Sequence, residues 1–298
     1  MSKVKHRLFH RSGRAQFKRY TRSKFGNFML FLFLALAGAF SVLPLIYSIV
    51  TSFKPLDELM IFPPTLVTVR RPTMENYFAL PELISGLSIP ISRYIVNSLL
   101  ISVVGTVLEV LVSAMAAFVL SKANLKYQKT IFLIVQFALL FNGYTLEVPR
   151  YLIYAKMGMI DNYTVYILPF LASSMGVFLM KQYMDGYIPN ALIEAAHIDG
   201  SSWFNTFWRI ILPNIKPCIL TLTLFTFRDI WATIPGGTIF TEAKKTLPTV
   251  MSTIASGGVA RTGPAMAATV IMMIPPIVVF LISQGSVRET MGSAGIKG

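Results

Sequence analysis

His197 and Asp199 are close enough in this 298-residue chain to suggest an acid–base pair. Glu109, Asn142, Glu147, Arg150, Arg228 and Asp229 interrupt apolar runs, where a polar side chain needs a reason. The first pair fails on geometry, because residues two apart on a helix point to different faces. No spacing of His, Cys or carboxylates resembles a metal site, and no nucleophile motif is present. The single cysteine, Cys218, rules out an intramolecular disulfide. No G-x-x-x-x-G-K-[ST] phosphate loop occurs, so no bound nucleotide is expected. Asn162-Tyr163-Thr164 matches the glycosylation pattern, which is frequent by chance. The expectation is a protein that is not an enzyme and has no metal or cofactor of its own.

The interrupting residues carry a physical cost. A charged side chain at a bilayer centre costs about 2.5–3.5 kcal/mol on insertion scales. A solvated translocation path lined by Glu109 and Asn142 is one explanation, since interrupted helices often line such paths. For Glu147–Arg150 and Arg228–Asp229 the favoured explanation is pairing near an outer surface. Pro275-Pro276 reads as a kink rather than a contact site.

These arguments presuppose lipid, and the composition supports it. The chain is 54% hydrophobic and 13% charged, where a soluble domain carries about 25% charged residues. A helical span needs about 20 mostly apolar residues. Strong candidates are 28–53, 94–120, 163–183 and 265–284; weaker ones are 130–154 and 218–235. The run from Phe28 to Phe53 follows a basic tail and contains a cleavage-like Ala35-Leu36-Ala37, but it is too long for a signal peptide.

Charge then sets the topology. The net charge of +14 is concentrated, with nine of the 27 Lys/Arg in the first 24 residues, which reads as a topology signal and not as a nucleic-acid arm. With the N-terminus cytoplasmic, the inner segments are 1–27, 121–129, 184–217 with Lys181 at its edge, and 285–298. They hold 17 of the Lys/Arg and four of the 13 acids, leaving the outer side nearly neutral. This is the positive-inside pattern. The expected fold is an all-α membrane protein with six transmembrane helices and both termini cytoplasmic. Its parts are a basic tail 1–27, a membrane domain 28–284 carrying a cytoplasmic loop 184–217 between spans four and five, and a tail 285–298.

The loop is the most informative stretch. Pro189 or Asn190 can open a helix that Gly200 stops in a left-handed turn. Ala191, Leu192, Ala195 and Ala196 fall on one narrow face. Ser201 or Ser202 can cap a second helix bearing Trp203, Phe204, Phe207, Trp208 and Ile211, which Pro213 should limit. An aromatic stripe alone would suit a lipid surface. The first helix, with Glu194 and Asp199 and no Lys or Arg, better suits a protein groove.

Glu194-Ala195-Ala196, then three residues, Gly200, nine residues, and Ile210-x-Leu212-Pro213 resembles the cytoplasmic loop of permease subunits of binding-protein-dependent ABC importers. Asp199 matches the usual Asp before the glycine. Thr246-Leu247-Pro248 and Ala294–Gly298 make residues 28–298 similar to the carbohydrate-uptake, maltose-transporter branch. Phe227-Arg228-Asp229-Ile230-Trp231 stands where close relatives commonly carry Trp-Asn-(Asp/Glu). The resemblance implies a multi-pass permease of the bacterial plasma membrane. It implies two copies of a cytoplasmic ATPase that binds the ATP, a second permease subunit, an extracytoplasmic solute-binding protein and a sugar or oligosaccharide substrate, with no nucleic acid. Glu194, Ala195, Ala196, Asp199, Gly200, Ile210, Leu212 and Pro213 would couple to the ATPase. A non-carbohydrate solute is the alternative cargo. A membrane enzyme would have to use the intramembrane carboxylates, and a lone secondary carrier would need inverted repeats that the sequence does not display.

Overall fold

The computed structural model describes residues 24–85, 89–141 and 143–294. Asn142, the basic residues Lys3 to Arg22 and the last four residues lie outside the described residues. The described residues contain helices and no strands. The chain divides into two compact units, 1–46 and 47–298.

In the first unit, α1 (Lys24–Ser52) runs from Lys24 through Ile46 with apolar side chains on all sides. Phe25, Phe31, Phe33 and Phe40 are each 69–76% exposed. A helix apolar all round belongs in lipid or inside an assembly. The 29 residues of α1 reach about 43 Å, beyond the ~30 Å hydrocarbon core.

The second unit is organised around α4 (Ile91–Lys122). It packs against α7 (Thr164–Leu171), α8 (Ser174–Tyr187) and α12 (Lys216–Trp231), and α12 packs in turn against α14 (Thr262–Ala294). The buried face of α4 is rich in small residues, among them Ser98, Ser102, Gly105, Ser113, Ala114 and Ala117. Small side chains let helix backbones approach closely where lipid offers no hydrophobic drive. At Gly176 of α8, a Cβ would lie 2.3 Å from the Glu109 carboxylate and 2.4 Å from the Ser113 hydroxyl.

Among the described residues, four helical stretches are long and apolar enough to cross a membrane: Lys24–Ser52, Ile91–Lys122, Thr164–Tyr187 and Thr262–Gly285. A fifth follows if Trp203–Asn214 and Lys216–Trp231, bent by 80°, count as one. The expected third span is broken into α5 (Gln128–Ala138), a 3-10 turn (Gly143–Leu146) and α6 (Glu147–Lys156), because its apolar run stops at Phe141. Neither piece is a full crossing alone. The last span agrees with the expected 265–284, and its helix runs on through Ala294.

Pro275 and Pro276 lie inside α14. Lacking N–H groups, they leave the carbonyls four residues earlier without their helical donors. One of these, Met272, accepts the Trp231 indole N–H of α12 at 3.0 Å. Trp231 is almost fully buried, so this bond closes a gap that water cannot fill. Trp231→Phe keeps the ring and removes the donor; it should cost about 1–2 kcal/mol in equilibrium unfolding of the purified chain. An unchanged midpoint would contradict this role.

Two connecting segments are held by hydrogen bonds as well as by the core that Leu80, Leu247, Val250 and Ile254 share with Tyr94 and Trp231. In the first, which includes α2 (Leu56–Leu59) and α3 (Glu75–Ser85), Glu58 accepts the Arg70 N–H and Asn76 donates to the carbonyls of Ser52 and Lys54. In the second, Asn97 donates to the carbonyls of Ala243 and Lys245, and Ser98 accepts the Leu247 N–H that opens α13 (Leu247–Ala255). Asp161 accepts the N–H groups of Phe240 and Thr241 and the Lys244 ammonium. These donors, with the Thr241 hydroxyl first among them, hold its carboxyl well below the usual range. The clamp is therefore intact above the ordinary carboxylate pKa of about 4 and loosens only as pH falls through the lowered value.

Candidate functional site

The 184–217 loop forms a helical bracket with local causes at each corner. Pro189 takes the N-cap position of α9 (Asn190–Ile198) in an extended conformation. Gly200 closes α9 at φ +78°, a conformation that L side chains avoid. The Ser201 N–H reaches the Ala196 carbonyl and the Gly200 N–H reaches that of His197, the pair of bonds of a Schellman stop. His197 turns its Nδ1 to the Ser201 carbonyl and its ring to the edge of Trp203, so it braces this turn.

Ser202 then caps α10 (Trp203–Thr206) by accepting the Asn205 N–H. A π turn follows at Phe207–Ile211, with the Leu212 N–H bonded back to the Phe207 carbonyl. The helical run continues through Pro213 for one residue only, into α11 (Leu212–Asn214), so it ends at the proline as expected. The chain turns at Ile215 into α12.

The bracket is seated on the helices above it. Ile193 of α9, Phe207, Ile211 and Ile215 are buried against Ala114 and Phe118 of α4 and Met180 and Met184 of α8. Lys122, at the end of α4, donates to the Ile188 carbonyl at 2.6 Å and to the Asn190 side chain at 3.0 Å. It thereby fixes the start of α9. Ser121 and Lys181 both hold Asp185. Sequence reasoning missed Ile193 and Lys122. The i, i+3 spacing of Ile193 and Ala196 was the available signal for the buried edge.

The expected coupling residues consequently divide. Glu194, Ala195, Asp199 and Gly200 are exposed, beside Ala191, Leu192 and Ile198, the last of them 86% exposed. Ala196 does not join the small-residue face: it is buried, as is Ile193 at i−3 on the same helix. Ile210 and Leu212 are half-buried and Leu212 packs on that core, while Pro213 is exposed at the bend. The aromatic stripe divides the same way, with Phe207 inside and Trp203, Phe204 and Trp208 outside.

Glu109 is fully buried, accepting the Ser113 hydroxyl at 3.0 Å and the Thr226 hydroxyl at 2.9 Å. It ties α4 to α12 inside the packing and is not among the residues that line the cavity beside α6 and α7. That cavity, about 280 Å³, is lined instead by Glu147 and Arg150 with residues of α7 and the 233–238 segment. Arg228 and Asp229 pair as expected, at 2.7 Å on an exposed surface. Glu147 and Arg150 form no such pair among the described residues.

Comparison with known proteins gives this arrangement a context. Residues 110–291 match the family model described as a binding-protein-dependent transport system inner membrane component. The chain is 33% identical to Protein LplC of Bacillus subtilis over 67% of its own length and 65% of that protein. It is 27% identical to the inner membrane ABC transporter permease protein YcjP of Escherichia coli, over 89% of this chain and 94% of YcjP. It is likewise 27% identical to the arabinooligosaccharides transport system permease protein AraQ of Halalkalibacterium halodurans, over 91% and 97%. The fold is shared with a chain from the crystal structure of a bacterial ABC transporter involved in importing the acidic polysaccharide alginate. That match has a TM-score of 0.71 and 20% identity, and it covers 89% of this chain and 98% of that one. The matched residues run from the middle of α4 through the bracket to α14, and the chain belongs to the family of binding-protein-dependent transport system inner membrane components, multi-pass permeases of the bacterial plasma membrane.

Proposed function

We propose that this chain is one permease subunit of a carbohydrate ABC importer and that α9 is the helix by which a cytoplasmic ATPase moves it. The observation carrying the reading is the division of α9: one edge locked into the permease core, the other free with Glu194, Ala195, Ile198 and Asp199. The exposed edge offers small residues for close approach and carboxylates for polar contact. The buried edge joins α9 to α4, α8 and the start of α12. Closure of an ATPase dimer would displace α9, and this packed junction would carry the displacement to the spans as a rigid body.

The remaining parts of the reading follow from the same topology. Six spans, with α5–α6 as a broken third and both termini cytoplasmic, put nearly all the excess positive charge inside. Two ATPase copies bind the ATP, a second permease completes the pore, and an extracytoplasmic binding protein delivers cargo. Carbohydrate is favoured by the names of relatives that transport arabinooligosaccharides, sulfoquinovosyl glycerol and polygalacturonan. The test is purification of the tagged chain from its native membrane, followed by reconstitution. Recovery of an ATPase and a second permease, with ATP-dependent uptake of a sugar, is the expected result. Full transport by the chain alone would refute the reading.

A further inference from the structure

Between α8 and α9 the chain has an extended joint, Ile188 at ψ 104° and Pro189 at ψ 142°. Such a joint turns about single bonds, so by itself it does not dictate where α9 points when α8 moves. Among the described residues, Ile193 is the one side chain of α9 in the buried apolar cluster around α4 and α8. Apolar burial is non-directional. One side chain fixes a point without fixing an axis.

The missing direction comes from the end of α4. Lys122 is its last residue. The ammonium donates to the Ile188 carbonyl in the joint at 2.6 Å and to the Asn190 side chain at the start of α9 at 3.0 Å. A lysine in a last turn commonly caps the carbonyls of its own helix. Here the carbonyls of Val119 and Leu120 are taken by the Ala123 N–H and the Gln128 side-chain amide, and the ammonium is turned to its neighbour. The adjacent Ser121 donates to Asp185 of α8, which also accepts from Lys181 at 2.6 Å. Lys181 in turn lies 4.2 Å from the centre of the Phe132 ring of α5. Consecutive residues of α4 therefore hold α8 and the start of α9. From Lys122 the helix runs roughly 20 Å back to Glu109, which accepts from Thr226 of α12.

We infer that Lys122 is a positioning residue for transport, which makes α4 and α9 move as one body when the ATPase closes. A displacement entering at α9 then reaches the α4–α12 junction along α4. The inference rests on the reading of α9 as the ATPase-driven helix, and it adds the link through which α4 follows that helix.

The test uses the assembled importer with spin labels on cysteines at Val119, exposed on α4, and Ala191, exposed on α9. The distance between labels is measured without nucleotide and after trapping with ATP and vanadate. It is compared in the otherwise wild-type chain, in Lys122→Met and in Asn190→Ala, and the ATPase recovered with each chain is measured. Methionine keeps an unbranched stem and loses every donor. The expected result is an equal distance in both states for wild type. Lys122→Met should shift on trapping by about 2–5 Å, the scale of helix displacements in switching proteins. Asn190→Ala, which removes one of the two bonds, should shift less, and ATPase recovery should be unchanged in both variants. A brace that serves only the resting fold would alter the distance equally in both states or in neither. Either outcome overturns the inference while leaving the ATPase reading intact. A distance that changes on trapping in wild type overturns it too, because α4 then does not follow α9. Loss of the ATPase from Lys122→Met alone assigns the lysine to the ATPase contact, with the same consequence. If Lys122→Met does not assemble, Asn190→Ala decides: a distance unmoved by trapping overturns the inference. Recovery of no ATPase with any of the chains strikes at the coupling reading itself, and the lysine's role falls with it.

Discussion

Glu194→Lys should separate the permease from its ATPase without unfolding it. Glu194 is exposed on the free edge of α9 and makes no contact on which the bracket depends. Reversing its charge therefore leaves Ile193, Phe207 and Ile211 in place. Loss or reversal of a buried interfacial charge typically costs 2–5 kcal/mol, about 30-fold or more in affinity. The measurement is the amount of ATPase recovered with tagged permease, together with ATP-dependent uptake. Both should fall by at least tenfold while membrane insertion is unchanged. Gly200→Pro should give the same uncoupling by another route, since proline cannot adopt φ +78°. Undiminished ATPase recovery and uptake in both variants would remove α9 from the coupling path.

Gly176→Leu should have the largest effect on folding. The first added carbon already lies within 2.4 Å of both Glu109 and Ser113. Glu109 is also fixed by Thr226 from the other side. The side chains that would have to yield are thus short and held by hydrogen bonds in the α4–α8–α12 junction. Overpacking costs about 1–3 kcal/mol, and more where neighbours cannot shift; breaking the carboxylate's bonds adds to that. Purified Gly176→Leu should melt well below wild type or fail to give a single folded species. Gly38→Leu, with nothing within 4 Å of the added carbon, is the matched control and should melt as wild type does. Equal melting of the two variants would mean that this junction is not close-packed.

What the sequence made legible divides by range of interaction. Pro189, Gly200 and Ser202 act on their immediate neighbours, so the bracket's helices and turn could be read from the residue types alone. The four strong spans are legible for a similar reason, as each is a continuous apolar run. The inward edge of α9 is different. It depends on Ala114 and Phe118, far along the chain, against which Ile193 is buried while Glu194 and Ala195 stay out. Glu109 marks itself as a costly residue needing a reason, but its answer is Thr226, 117 positions away. The Glu147 and Arg150 face of α6 is not legible, because in the sequence the third span reads as one polar-ended crossing. A helix beginning afresh at Glu147 gives those residues a common face.

The central claim is that α9 presents one edge to an ATPase and buries the other in its own core. It is tested most directly by single cysteines placed along α9, in a chain whose native Cys218 is buried. Ala195→Cys and Ala196→Cys differ by one position and by side of the helix. In the assembled importer, a short bifunctional thiol–amine reagent should join the Ala195 variant to the ATPase and leave the Ala196 variant unlinked. Cross-linking at Ala196 in place of Ala195, or at neither in a complex that still transports, would contradict the account.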